Sequence, residues 1–188
     1  MNIRMILASG SPRRRELIRY IFENIEIIPS NVDETVYAKL LPRDIPAHLA
    51  LRKATDIAEK HKDSLVIGCD TSVLLDGEVL GKPKDKEDAK RMLKFLSGKT
   101  QTVITGCALV YNDKFEVFSE ESFVTFYELS DKEIDEYLTR DEYEDKAGAY
   151  AIQGYGMMFV KEIKGDYQNI VGLPVARLKR EIDKFLSK

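Results

Sequence analysis

The sequence predicts an α/β protein: a mixed, twisted sheet flanked by helices. Apolar runs of strand length, at residues 6–8 and 65–69, alternate with stretches whose apolar residues recur at helical spacing. Two polar turn dipeptides, Asp76-Gly77 and Asn112-Asp113, each separate a pair of apolar runs, which marks antiparallel hairpins in the middle of the chain. Helical crossovers early and hairpins later make the sheet mixed rather than parallel throughout.

In order along the chain, Ile6, Leu7 and Ala8 suit a buried strand. Ser11 is an N-cap candidate, and Pro12 falls at the first helical position, where a missing N–H costs nothing. A helix is therefore expected from Pro12 to about residue 22. Residues 25–28 read as a strand that leads into a polar loop with Asp33 and Glu34. Ile45, Leu49, Ala54, Ile57 and Ala58 form the apolar stripe of a second helix, with Arg52, Lys53 and Lys60 among its polar positions. The strand at 65–69 is expected to end at Asp70-Thr71, and 73–75 with 79–80 to form the first hairpin. Gly81-Lys82-Pro83 is a restricted turn into a helix with Ala89, Met92, Leu93 and Leu96 on one face, stopped at Ser97-Gly98. Residues 102–111 and 115–126 read as two longer paired strands. Ser130 and Glu133 fit a capping box for a helix through Leu138. Strands are expected near 150–152 and 157–163, and Val175, Leu178, Ile182, Phe185 and Leu186 make a terminal amphipathic helix.

The 188 residues suit one domain, 1–188, with no repeat and no low-complexity tract. A formal net charge of -3 argues against a general nucleic-acid binder, and no apolar run is long enough for a membrane span or a secretory signal. The expectation is a soluble cytoplasmic protein with neither nucleic acid nor membrane as partner. Cys69 and Cys107 lie in apolar, strand-like surroundings and read as small core residues. The only histidines, His48 and His61, fall on one expected helix, which leaves carboxylates, lysines and arginines to carry any chemistry.

Three stretches offer that chemistry. Residues 5–16, MILASGSPRRRE, place Ser9, Arg13 and Arg14 beside a helix start whose unpaired N–H groups favour an anion; the same residues also suit a well-capped helix with a solvated arginine run. Asp70 follows an apolar strand, where it can hold a divalent metal, take a proton from an attacking water, or simply cap a turn. Lys53 and Lys82 are its natural counter-charges. Residues 145–156, DKAGAYAIQGYG, let backbone approach a ligand closely, and Gln153 offers a donor and an acceptor side by side. Together with Glu34 this inventory suits a nucleotide better than a sugar or peptide: cations for a polyphosphate, acids for a metal, an amide for a base edge.

Eight ordered segments, LASGSPRRREL, VDE at Glu34, Lys53-Ala54, GCDTSV, LGKP, SGKTQTVITG, DKAGAYAIQG and NIVGLP, resemble the Maf family of nucleoside triphosphate pyrophosphatases. The resemblance implies a two-lobed, inosine-triphosphatase-like fold with a central cleft, a homodimer, and a divalent cation such as Mg or Mn. It also implies hydrolysis of the triphosphate to a monophosphate and pyrophosphate. Position by position it implies Asp70 as proton acceptor, Lys53 and Lys82 as catalytic cations, Glu34 and Asp70 as metal ligands, and Ser9, Arg13 and Arg14 as phosphate contacts. Arg13, Thr71 and Gln153 look like the specificity trio of the branch that acts on dTTP and UTP. Gln101 stands where the family commonly has histidine, which removes a titrating group and keeps a hydrogen-bonding one. The competing functions are a nucleotide-binding regulator without turnover, for example one that arrests cell division, and a house-cleaning enzyme for modified nucleotides.

Overall fold

The computed structural model describes residues 3–35 and 39–187. Its centre is a seven-stranded mixed sheet in the order β2-β1-β3-β5-β6-β7, with β4 paired to the far half of β3. β1 (Arg4–Leu7) runs parallel to β2 (Glu26–Ile27) and to β3 (Ser64–Leu75). β4 (Glu78–Leu80), β5 (Thr100–Tyr111), β6 (Lys114–Phe126) and β7 (Val160–Lys164) complete the antiparallel part. The two expected hairpins are present, and Asp76, Gly77 and Asn112 take the positive φ angles of 52°, 82° and 53° that tight turns demand.

The helices are α1 (Pro12–Ile18), α2 (Ile45–Ala58), α3 (Lys86–Leu96), α4 (Asp131–Leu138), α5 (Tyr167–Val171) and α6 (Val175–Leu186). Their starts follow from local chemistry. Ser11 Oγ accepts from the Arg14 N–H, Asp85 caps α3 through the Asp88 N–H, and the Ser130/Glu133 capping box is formed in both directions. α2 packs with β1 and β3 around Ile6, Ala50, Ala54 and Val66, while Leu178, Ile182 and Phe185 of α6 pack with Ile18 of α1 in a second apolar cluster. A third cluster, around α3, α4 and the β3–β4 hairpin, makes a separate lobe with Met92, Leu93, Tyr137 and Phe159.

Four local expectations are corrected. β3 does not end at Cys69 but continues through Asp70 to Leu75, because β5 pairs with it as far as Leu74 and burial persists along it. Asp70 therefore sits in mid-strand. α1 stops at Ile18, and residues 19–22 wind down through tighter hydrogen bonds such as Arg19 N–H to Glu16 O. Residues 150–152 are buried but pair with no strand, and 155–159 form a 3₁₀ turn, so β7 begins only at Val160. α5 was not expected at all: five residues give too short a periodicity to register in the sequence. Cys69 and Cys107 face each other across β3 and β5, fully buried and free, with sulfurs 3.7 Å apart. Among the described residues no helix is long and apolar enough to cross a membrane.

Two glycines set how α2 lies on the sheet. A Cβ on Gly68 would come within 2.1 Å of the Ala50 carbonyl oxygen, and one on Gly106 within 2.3 Å of the Ala47 nitrogen. The bare strand surface at these two points lets the helix backbone sit directly on β3 and β5. That close seat brings Lys53, on the third turn of α2, alongside Asp70.

Candidate active site

A cavity of about 560 Å³ opens between the two lobes. Its walls come from the β1–α1 turn, α2, β3, the β4–α3 turn, residues 145–153 and residues 170–172. Ser9, Arg13, Arg14, Glu34, Lys53, Asp70, Thr71, Lys82 and Gln153, widely spread in sequence, all line it. Gln101 does not. It is fully buried in β5 with its amide toward the Tyr150 hydroxyl, and neither group makes a hydrogen bond of normal geometry.

At the cavity floor Lys53 Nζ lies 2.7 Å from Asp70 Oδ1 and 2.9 Å from Glu34 Oε1. The Lys53 and Asp70 side chains are each only 11% exposed, whereas Glu34 reaches in from solvent on the loop before α2. That loop is pinned by Asp33, which accepts from Thr35, and by Arg52 on α2, which donates to the Thr35 carbonyl at 2.9 Å. Burial pushes the Asp70 carboxyl above its ordinary range, and the Lys53 and Arg14 charges pull it part of the way back. A carboxylate so placed is a stronger proton acceptor than one in water.

At the mouth, Lys82 reaches from the β4–α3 turn to Asp145 on the opposite wall, 3.0 Å away, and the Gly148 N–H donates to the Gly81 carbonyl beside it. Both side chains of this pair are largely exposed, so it contributes little to stability and exchanges readily for a ligand. The Lys82 ammonium holds the Asp145 carboxyl below its usual range. Lys146, next in sequence, lines the cavity too, and burial followed by the nearby Arg13 charge lowers its pKa. Burial and Arg14 act on Arg13 in the same direction. The lining thus holds five cations, Arg13, Arg14, Lys53, Lys82 and Lys146, against three carboxylates, Glu34, Asp70 and Asp145. In a chain of net negative charge this is a local positive excess, and an anion bound there relieves the repulsion among the cations.

Arg14 is tethered more than Arg13. Its Nε donates to the Gly172 carbonyl at 2.9 Å, its Nη2 to Thr71 Oγ1 at 2.8 Å, and its Nη1 to Ser9 Oγ at 3.4 Å. Three of its five N–H groups serve the protein itself, which leaves two for a ligand. Thr71 Oγ1 in turn meets Thr105 Oγ1 at 2.9 Å, and Thr105 donates to the Asn169 carbonyl at 3.0 Å. Sequence reasoning names Ser9, Arg14 and Thr71 but misses Thr105 and Asn169 behind them, and gives no role to the cations' companions Asp145 and Lys146. A lysine inside the small-residue loop at 145–149 was a usable signal for Lys146. Thr105 and Asn169 fall inside the SGKTQTVITG and NIVGLP segments, but no role attaches to either one there, because they lie 64 residues apart and meet only through the fold.

Known proteins resemble this chain along nearly its whole length. A dTTP/UTP pyrophosphatase of Bacillus cytotoxicus is 51% identical over 182 residues, covering 97% of this chain and 95% of that protein. Another protein of that name, from Bacillus cereus, is 50% identical with the same coverage. In fold, the chain resembles a HAM1 protein from Coxiella burnetii, with a TM-score of 0.55 at 13% identity over 97% of this chain and 99% of the other. It also resembles the Staphylococcus aureus Ham1 protein, with a TM-score of 0.51 at 16% identity over 65% and 71%. The family model described as Maf-like protein matches residues 4–185, and with half of the residues shared with those relatives, the chain belongs to the Maf family.

Proposed function

We propose that this protein hydrolyses dTTP and UTP to the nucleoside monophosphate and pyrophosphate, as one catalytic domain over residues 1–188. The observation that carries the reading is the buried Lys53–Asp70 pair, joined from the solvent side by Glu34, on the floor of a cavity with an excess of cations. A triphosphate brings about three to four negative charges near neutral pH, which only such a lining accommodates. The relatives named dTTP/UTP pyrophosphatase support the same chemistry and base.

In this reading Lys53, Lys82, Arg13 and the free donors of Arg14 bind the polyphosphate. Ser9 Oγ already accepts from the Ser11 N–H and from Arg14, so its own proton is free for a phosphate oxygen. Asp70 takes the proton of a water whose oxygen attacks phosphorus; the P–O bond opposite breaks and pyrophosphate leaves, its charge met by Lys82 and Arg13. Gln153 presents its amide to the base.

Glu34 and Asp70 suit a divalent ion of the Mg or Mn type. Both offer hard carboxylate oxygens, and they converge on one point, now the Lys53 ammonium. Among the described residues no group of three or more histidine, cysteine or acidic side chains could cage a metal. Two protein ligands with phosphate oxygens and water completing the shell is the usual Mg arrangement. When bound, the ion supplies Lewis acidity to the phosphoryl oxygens and acidifies bound water. The same reading makes the protein a cytoplasmic homodimer with neither nucleic acid nor membrane as partner.

Purified protein is tested against the normal and modified nucleoside triphosphates with Mg²⁺, scoring pyrophosphate and monophosphate, with a chelator control. Turnover of UTP and dTTP that the chelator stops is expected; no turnover of any pyrimidine triphosphate contradicts the proposal. Two further outcomes follow. Because burial raises the Asp70 pKa, the base stays protonated and inactive to a higher pH than a free aspartate would. The rate of kcat/KM is therefore expected to rise with pH along an acid limb above the ordinary carboxylate range, and a limb near pH 4 or below would count against Asp70 as the base. Gln153→Ala is expected to relax base preference by about tenfold while pyrophosphate release persists, since an exposed amide contributes recognition and not chemistry. Unchanged preference across the triphosphates would remove Gln153 as a reader.

A further inference from the structure

The hydrogen bonds behind Thr71 fix the direction of its hydroxyl. Thr105, fully buried on β5, lies 3.0 Å from the Asn169 carbonyl oxygen, which has no proton to give. Thr105 therefore spends its one proton there. Thr71 Oγ1 is 2.9 Å from Thr105 Oγ1, and with the Thr105 proton committed, the proton between them belongs to Thr71. Arg14 Nη2 donates to Thr71 from 2.8 Å and occupies one lone pair. What Thr71 has left for the cavity is its other lone pair. It meets a ligand as an acceptor only, whereas Ser9, with both lone pairs taken, meets it as a donor.

The anchor of this relay is rigid. The Asn169 side chain is fully buried and donates to the Val103 carbonyl at 3.1 Å and to Ser122 Oγ at 3.0 Å. The Asn169 backbone carbonyl, which accepts from Thr105, also accepts the Gly172 N–H, so it keeps a partner even without Thr105.

We propose that Thr105 is a positioning residue for base selection: it draws the Thr71 proton away from the cavity, so that Thr71 accepts from the ring N–H of a uracil-type base and repels cytosine. The ring nitrogen of cytosine at that place is itself an acceptor, and two acceptors facing each other leave both unpaired. A phosphate oxygen is disfavoured at the Thr71 hydroxyl itself for the same reason, which leaves that atom to the base while Ser9 and the free donors of Arg14 remain for the polyphosphate. Gln153 cannot make this distinction by itself, because an exposed amide that can rotate serves uracil in one orientation and cytosine in the other. The inference rests on the pyrimidine triphosphate reading of the cavity.

The experiment compares kcat/KM for UTP and CTP in the wild type, Thr105→Val and Thr105→Ser. Valine keeps the shape and frees the Thr71 proton to turn toward the ligand. The UTP-to-CTP ratio is expected to fall by about tenfold or more in Thr105→Val, through a gain on CTP, and to be held by Thr105→Ser. A ratio unchanged in a folded Thr105→Val protein overturns the proposal. Neutron diffraction from wild-type crystals tests it without any variant: the deuterium on Thr71 Oγ1 should lie on the line to Thr105, and one directed into the cavity overturns it. If the wild type turns over neither UTP nor dTTP, the activity reading fails, while the neutron map still decides the hydroxyl direction.

Discussion

Asp70→Asn is expected to lower kcat by about 10²–10⁴-fold while KM stays close to wild type. Asparagine has the shape of aspartate and keeps an oxygen for the Lys53 ammonium, now 2.7 Å away, but it cannot take a proton from water. Lys53 also retains Glu34 at 2.9 Å, so the buried cation is not left alone and the fold should persist. Lys53→Met is the contrasting case, since it leaves an uncompensated carboxylate in a mostly buried site and should cost about 3–5 kcal/mol of stability as well as activity. Steady-state kinetics beside a denaturant melt separate the two outcomes. Full turnover in Asp70→Asn would remove Asp70 as the base.

Gly106→Ala is expected to destabilise the protein by about 3 kcal/mol, measured by denaturant unfolding, and to lower activity even where the protein remains folded. The added methyl would stand 2.3 Å from the Ala47 nitrogen and 2.3 Å from the Pro46 carbonyl carbon, both backbone atoms of α2 that no rotamer change can move aside. Relief requires the helix to lift from β5, and Lys53 lifts with it, away from Asp70, which is paired with Gly106 across the two strands. Gly77→Ala serves as the comparison, because open space surrounds that position. Its positive φ of 82° costs only backbone strain, about 1 kcal/mol, and it lies outside the cavity lining. Equal loss of activity in both variants would contradict the link between helix seating and the site.

What could be read from the sequence follows the range of the forces involved. Caps and turns are decided by neighbouring residues, so Ser11, Asp76-Gly77 and the Ser130/Glu133 box were legible. In sequence the strand through Asp70 reads as ending there because a charged residue normally closes an apolar run, and nothing nearby reveals that Lys53, 17 residues earlier in the chain, pairs with it. Residues 150–152 look like a strand by composition yet find no partner strand, since pairing is a property of the sheet and not of the segment. The candidate site was legible in its cations and acids, which must be chemically unusual to be useful. Its supporting residues, Thr105 and Asn169, are ordinary by type, and only their meeting in space gives them a role.

Residues from both lobes are expected to close around one polyphosphate tail. A crystal structure with Mg²⁺ and a UTP analogue whose α,β bridge resists hydrolysis tests it most directly. The predicted result places the phosphates against Ser9, Lys53 and Lys82, the cation between them and Glu34 and Asp70, and the uracil ring at Thr71 and Gln153. A triphosphate bound elsewhere, or bound here with Asp70 out of reach of every phosphate, would contradict it.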